Sequence, residues 1–216
     1  MKNVVFLGDS ITETMRWHGY EMSYGGGYVV MVAAEYMTRY PGRYNFFNRG
    51  KGCDKSDQVL SRVKEDGIDL KPDILSVLMG VNDVWHQLDH GVPYTEELFI
   101  NSYTSLIGQV RDALPDTKLI LMEPYIIKGY ATVSTEEQPD RWELFRSGVE
   151  RRAALTREIA AEYGTEFVPL QQKFDEIAAL YGDGHLCYDG AHPTPAGHLL
   201  IARSYMEAFD RIENLG

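Results

Sequence analysis

Cysteine is scarce in this sequence: only Cys53 and Cys187 occur, far apart and outside any CxxC pair. Two such residues cannot frame a disulfide scaffold, and free thiols in a reducing compartment are the simpler reading. Long hydrophobic runs are missing too. No stretch approaches the roughly 20 apolar residues that a membrane helix needs. The apolar start Val4 to Leu7 breaks at Gly8-Asp9, which is too short for a signal peptide, so a cytoplasmic protein without a membrane partner is expected. Positive charge is in deficit, with 21 Lys and Arg against 32 Asp and Glu. A net charge of −11 argues against nucleic acid as a partner, because phosphate contacts need a basic surplus. Small neutral or cationic partners fit better.

What is present is ordinary for a globular protein: 44% hydrophobic and 25% charged residues over 216 positions, enough for one domain spanning 1–216. No feature specifies self-association, and a homo-oligomer stays open. Short β-rich runs occur at Val4–Leu7, Tyr44–Phe47, Ile74–Met79, Leu119–Met122 and Glu166–Val168. Each is nearly continuously apolar, as expected of parallel strands covered on both faces. Between them lie stripes of helical period: Val29 to Tyr40, Phe99 to Leu114 and Phe145 to Tyr163. A last helix starts at Thr194-Pro195, with Thr as cap and Pro in the first turn. This alternation predicts a doubly wound α/β sandwich, whose ligands bind beyond the carboxyl ends of the strands. Two long loops, Gly80 to about Tyr94 and Pro124 to about Asp140, are expected at that edge.

Four short segments carry chemistry-bearing residues, three of them directly after a predicted strand: Gly8-Asp9-Ser10-Ile11, Asn48-Arg49-Gly50, Gly80-Val81-Asn82-Asp83 and Asp189-Gly190-Ala191-His192. Ser10 is a candidate nucleophile that needs a base, although Ser10-Ile-Thr-Glu13 also has the form of a capping box. Asp189 and His192 are spaced so that the carboxylate can hold one ring nitrogen while the other faces the serine. A plain Asp-Gly turn and His-Pro punctuation would look the same. Asn82 offers a side-chain amide, and Gly50 and Ser10 offer backbone N–H groups, for a developing oxyanion. A helix cap at Asn82 and a turn at Gly50 are the alternatives. His198, inside the last helix, reads as structural, and His18, His86, His90 and His185 as loop residues.

Together and in this order the four segments resemble the blocks of the SGNH, or GDSL-type, hydrolases, from Phe6 to about Ala202. The resemblance implies a flavodoxin-like three-layer α/β/α sandwich with a five-stranded parallel sheet and no metal or organic cofactor. It implies Ser10 as nucleophile, His192 as base, Asp189 as its orienter, and an oxyanion hole from Ser10, Gly50 and Asn82. Two positions depart from the pattern. Ile11 replaces the leucine of the nominal motif, and Lys51-Gly52-Cys53-Asp54 stands where many members read Ile-Ser-Gly-Asp. Within the family, the segments around Asn82 and His192 are similar to bacterial carbohydrate acetylesterases, especially acetylxylan esterases. That resemblance implies an acetylated saccharide as the small-molecule ester substrate. Asp9, Trp17, Trp85 and Tyr125 are then candidate substrate contacts, with Tyr20, Tyr24 and Tyr130 nearby. Trp85 as a core anchor is the competing reading. A lysophospholipase or thioesterase for longer acyl chains is the alternative within the fold. Outside it stand a binding module without turnover, and a metal-dependent phosphoesterase using Asp9, Asp54 or His192.

Overall fold

A computed structural model describes residues 1–215. Five parallel strands form one sheet: β1 (Lys2–Gly8), β2 (Tyr44–Gly50), β3 (Ile74–Leu78), β4 (Lys118–Met122) and β5 (Glu166–Val168), in the order β2-β1-β3-β4-β5. All five expected runs are strands, β1 and β2 each extending beyond the apolar stretch. This is the flavodoxin-like order, and it reverses direction at β1. The register sets Gly8 of β1 beside Gly50 of β2 and Leu78 of β3. The segments that follow these three strands therefore leave the sheet at one level, side by side.

Because successive residues point to opposite faces, each strand feeds two cores. Val4, Phe6, Ile74, Ile120 and Met122 pack against α2 (Tyr28–Arg39) and α9 (Pro195–Glu213). Val5, Leu7, Leu75, Val77 and Leu121 pack against α6 (Glu96–Ala113) and the later turns of α7 (Arg141–Glu162). Phe6 sits among Tyr28, Phe46 and Tyr205 at centroid separations of 5.8, 6.5 and 4.9 Å. The one polar residue in the middle of β3, Ser76, gives its hydroxyl to Tyr205 at 2.9 Å and so carries no unpaired buried group.

The remaining helices are α1 (Ser10–Glu13), α3 (Ser56–Ser61), α4 (Val63–Asp66), α5 (Val81–His90) and α8 (Gln171–Tyr181). Of the two long loops expected, 124–140 is irregular, but most of 80–94 is helix α5. Val81, Val84, Trp85 and Leu88, spaced i, i+3, i+4 and i+7, give α5 one apolar face among polar residues. Among the described residues no helix is long and apolar enough to cross a membrane.

At the amino edge of the sheet, Glu213 closes the fold. Its side chain is fully buried and accepts from Lys2 Nζ at 2.7 and 2.8 Å, Lys118 Nζ at 3.1 Å and Tyr44 Oη at 3.0 Å. Burial alone would raise its pKa, but these donors outweigh burial and hold it below the usual carboxylate range. A carboxyl with a depressed folded-state pKa stabilises above its unfolded pKa and loses that contribution as pH falls through the folded value. Glu213→Ala should therefore lower the urea-unfolding free energy at pH 7 by about 2–3 kcal/mol, the partly exposed lysines moderating the loss of a buried pair. The gap from wild type should close as pH drops below the carboxylate range.

Candidate active site

The first connection after β1 turns on Asp9. Its side-chain Oδ1 accepts from the Ile11 N–H at 2.9 Å, so Asp9 caps α1. The capping box expected from Ser10 to Glu13 does not form: Ser10 is the first helical residue, and the Glu13 carboxylate meets His18 instead. That leaves the Ser10 hydroxyl free, and it lies 2.8 Å from His192 Nε2. His192 Nδ1 lies 2.6 Å from Asp189 Oδ2. Asp189 Oδ1 also accepts the backbone N–H groups of Ala191 (3.0 Å) and His192 (2.8 Å). Burial would raise the Asp189 pKa, but the three donors outweigh it and hold the group below the usual carboxylate range. The same hydrogen bond raises the His192 pKa against the opposing effect of burial. With Asp189 ionised, the ring proton sits on Nδ1 and Nε2 accepts from the serine hydroxyl.

The turn carrying Asp189 and His192 is clamped from the side by segment 124–140. Ile127 N–H donates to Gly190 O at 3.0 Å and Ala131 N–H to Asp189 O at 3.1 Å. Gly190 has φ +111°, and a Cβ there would meet Thr132 Oγ1 at 2.4 Å, so only glycine fits. Tyr125, expected to touch substrate, is fully buried instead. It stacks on Phe174 at 3.8 Å and donates to Ala191 O at 3.1 Å, supporting the turn from beneath. A side chain enclosed on that side cannot reach a ligand.

On the other side, Asn82 lies in the first turn of α5 rather than at its cap, which is Gly80. One Asn82 Nδ2 proton goes to Asp54 O at 3.1 Å, and the second is left for another acceptor. The Asp54 carboxylate, weighed as a metal ligand, is paired with Arg62 Nε at 2.6 Å. Arg62 further donates to Arg49 O at 2.6 Å and Gly8 O at 2.7 Å. The expectation for Gly50 is corrected. Its N–H donates to Asn48 Oδ1 at 2.9 Å, and a Cβ on it would lie 2.1 Å from Glu13 N. Gly50 is the residue that lets α1 lie against β2, and its amide is committed. The Ser10 N–H, at the start of α1, has no partner within that helix.

Asp9 is likewise corrected as a substrate contact: it is 1% exposed and turned into the protein as the cap of α1. Trp85 combines both of its readings. Its ring packs at nearly a right angle against Phe145 and its Nε1 donates to Asp89 at 2.7 Å, yet the ring lies 6.0 Å from that of His192. Trp17 is 69% exposed beside Tyr20, on the loop after α1 that Arg16 ties to Gly50 O at 3.1 Å. His198 is structural, as its place in the last helix suggests. It accepts from Tyr28 N–H at 3.2 Å and is pushed down to about 4 by burial and then by the charge of His192. Among the described residues no cluster of three His, Cys, Asp or Glu is arranged to hold a metal.

Two features escaped the sequence. Arg62 stands far from every motif, and nothing in its neighbourhood marks it. Cys53 sits at φ +63° in the Lys51–Asp54 turn closed by Asp54 N–H to Lys51 O at 3.3 Å. The left-handed conformation costs a residue with a Cβ about 1–2 kcal/mol, and a cysteine gives no hint of it.

Comparison with known proteins gives concordant matches. The model of the GDSL-like Lipase/Acylhydrolase family matches residues 6–200. An acetylxylan esterase from Geobacillus stearothermophilus is 30% identical over 214 residues, covering 95% of this chain and 92% of that protein. A crystal structure of an acetylxylan esterase from the same organism superposes with a TM-score of 0.82 at 28% identity, covering 96% of this chain and 93% of that one. An α/β hydrolase from the metagenome of Lake Arreo, Spain, does so at 0.83 and 28%, covering 96% and 94%.

The clamp on the acid turn yields a prediction. Gly190→Ala should cost about 3 kcal/mol or more of stability through strain and overpacking. It should also depress turnover in the protein that remains folded, read by urea titration and ester hydrolysis on the same sample.

Proposed function

The chain belongs to the GDSL-like lipase/acylhydrolase family, and we propose that it removes small acyl groups, acetyl above all, from acetylated sugars such as xylo-oligosaccharides. The family and the acetylxylan esterase relative make it a carboxylic ester hydrolase. The observation that carries the mechanism is the unbroken chain from Ser10 Oγ to His192 Nε2 (2.8 Å) and from His192 Nδ1 to Asp189 (2.6 Å). Ser10 attacks the ester carbonyl as His192 takes its proton, and Asp189 steadies the imidazolium that forms. The tetrahedral oxyanion is held by the Ser10 N–H and the free proton of Asn82 Nδ2, donors fixed in place before the reaction. His192 then protonates the leaving alcohol, and a water activated by the same imidazole releases the acid from Ser10.

Support for an acetylated saccharide comes from the acetylxylan esterase relatives, which match nearly the whole chain. The half-buried Trp85 beside His192 walls a small acyl group, and the exposed Trp17 offers an aromatic face for a sugar ring. The neutral ester also suits a site flanked by several carboxyls.

Release of nitrophenol from acetate, butyrate and octanoate esters should be fastest for acetate and should fall by at least about 10³-fold in Ser10→Ala. Preference for octanoate would redirect the assignment to lipid or thioester substrates, and an active Ser10→Ala would remove the nucleophile. The pH profile supplies a second check. The base must be neutral, and its pKa lies above the ordinary imidazole value. Activity should rise with pH, with its midpoint above that value. A flat profile through neutrality would count against His192.

A further inference from the structure

Asp9 precedes the nucleophile and is enclosed at 1% exposure. Oδ1 caps α1 through Ile11 N–H at 2.9 Å, while Oδ2 is buried without a hydrogen-bond partner. An asparagine would cap as well as an aspartate, and a buried carboxyl with no cation is costly to keep. Capping therefore does not account for the acid. The charged and titratable groups around it are His192 from the turn before α9, Asp83 from α5, Asp54 from the loop after β2, and the buried phenols of Tyr28, Tyr103 and Tyr125. Arg62, held at Gly8 O behind the turn, is paired with Asp54, so among the groups acting on Asp9 the imidazolium of His192 is the one that can be positive.

We propose that Asp9 is a positioning residue for the ester hydrolysis, a second carboxyl beneath Ser10 that acts as counter-charge to His192 when the imidazole takes the serine proton. The proposal rests on the triad reading above. Asp9 forms no bond to substrate. The Ser10 proton passes to His192 Nε2 and on to the leaving alcohol, and Asp9 acts through its charge alone. Burial, with smaller contributions from Asp83 and Asp54, pushes Asp9 up to about 7, against the lowering by Ile11 N–H and His192. Its charge therefore changes in the range where the base operates, and the two groups titrate as a pair. The sign follows: an ionised Asp9 strengthens the base, so removing it must weaken the hold of His192 on its proton.

The test is Asp9→Asn, which keeps the cap and the shape. Its kcat/KM for nitrophenyl acetate, followed from pH 5 to 9, should show the acid limb moved to lower pH, with the plateau lowered several-fold by the weaker base. An unmoved limb would overturn the proposal whatever the rate, because a merely structural role changes rate or stability and not the pKa of His192. Asp9→Ser, another good cap, serves if the first variant fails to fold. NMR titration of the His192 imidazole in wild type needs no turnover. Two coupled ionisations support the pair, and a single simple titration refutes it even if the protein proves inactive on esters and the triad reading falls.

Discussion

Arg62, at the end of α3, ties the end of β2 and the turn that follows it to the end of β1, 54 residues earlier. Its guanidinium holds the carboxylate of Asp54, the carbonyl of Arg49 at the end of β2 and the carbonyl of Gly8 immediately before the Asp9–Ser10 turn, with Asp66 at 3.0 Å as a fourth partner. A planar fork of five donors is suited to fixing several acceptors at once, which a lysine could not do. Asp54 in turn passes its backbone carbonyl to Asn82. The segment leading to Ser10 and the Asn82 amide are thus joined through one largely enclosed cation. The strained Cys53 turn lies inside this tie. Its left-handed backbone is sustained because Lys51 is bound to Gly8 O at 3.0 Å on one side and Asp54 to Arg62 on the other.

The opposite half of the edge is built by the same logic with different parts. Asp189 sits in a turn with no helix or strand of its own, so its precision is borrowed from segment 124–140 and from Tyr125 beneath it. Catalytic groups on loops are accurate only when a neighbouring layer removes their freedom. Here hydrogen bonds to the carbonyls of Asp189, Gly190 and Ala191 do so, and they leave the Asp189 carboxylate to the imidazole and two amides.

The strands and the residues at their ends were legible because parallel strands buried on both faces must be nearly all apolar, and the chemistry follows where the apolar run stops. Val4 to Leu7 followed by Gly8-Asp9-Ser10 is such a boundary. Helix α5 reads as a loop because it starts at Gly80 right after a strand, although Val81, Val84, Trp85 and Leu88 in VNDVWHQLDH repeat at helical spacing; it docks on α7, where Gly148 admits Val84. Gly50 was misread because a glycine after a strand fits both an open amide and a close approach. Only the position of α1 and the Asn48 side chain decides between them. Tyr125 was misread for a related reason, since a tyrosine in a long loop is usually exposed, whereas this one faces inward against Phe174. The Ser10 capping box failed because Asp9, one residue earlier, is the better cap and the chain can use only one.

The charge distribution brings these parts together. Asp9, Asp54, Asp83 and Asp189 all lie near one sheet edge, and each is treated differently. Asp54 is neutralised by Arg62, and Asp189 stays ionised as the acceptor of the His192 ring N–H and two backbone amides. Asp83 accepts from the Ser56 hydroxyl and amide, yet burial still lifts its pKa to about 6. Asp9 has a single backbone donor and stays closest to neutrality. A site with this many acids and one imidazole is poor at holding an anion, since every added negative charge meets carboxyls screened only locally. A neutral ester meets no such resistance. The carboxylic acid released from it is already ionised at neutral pH and meets the same carboxyls, so the edge that accepts the ester disfavours retaining the product.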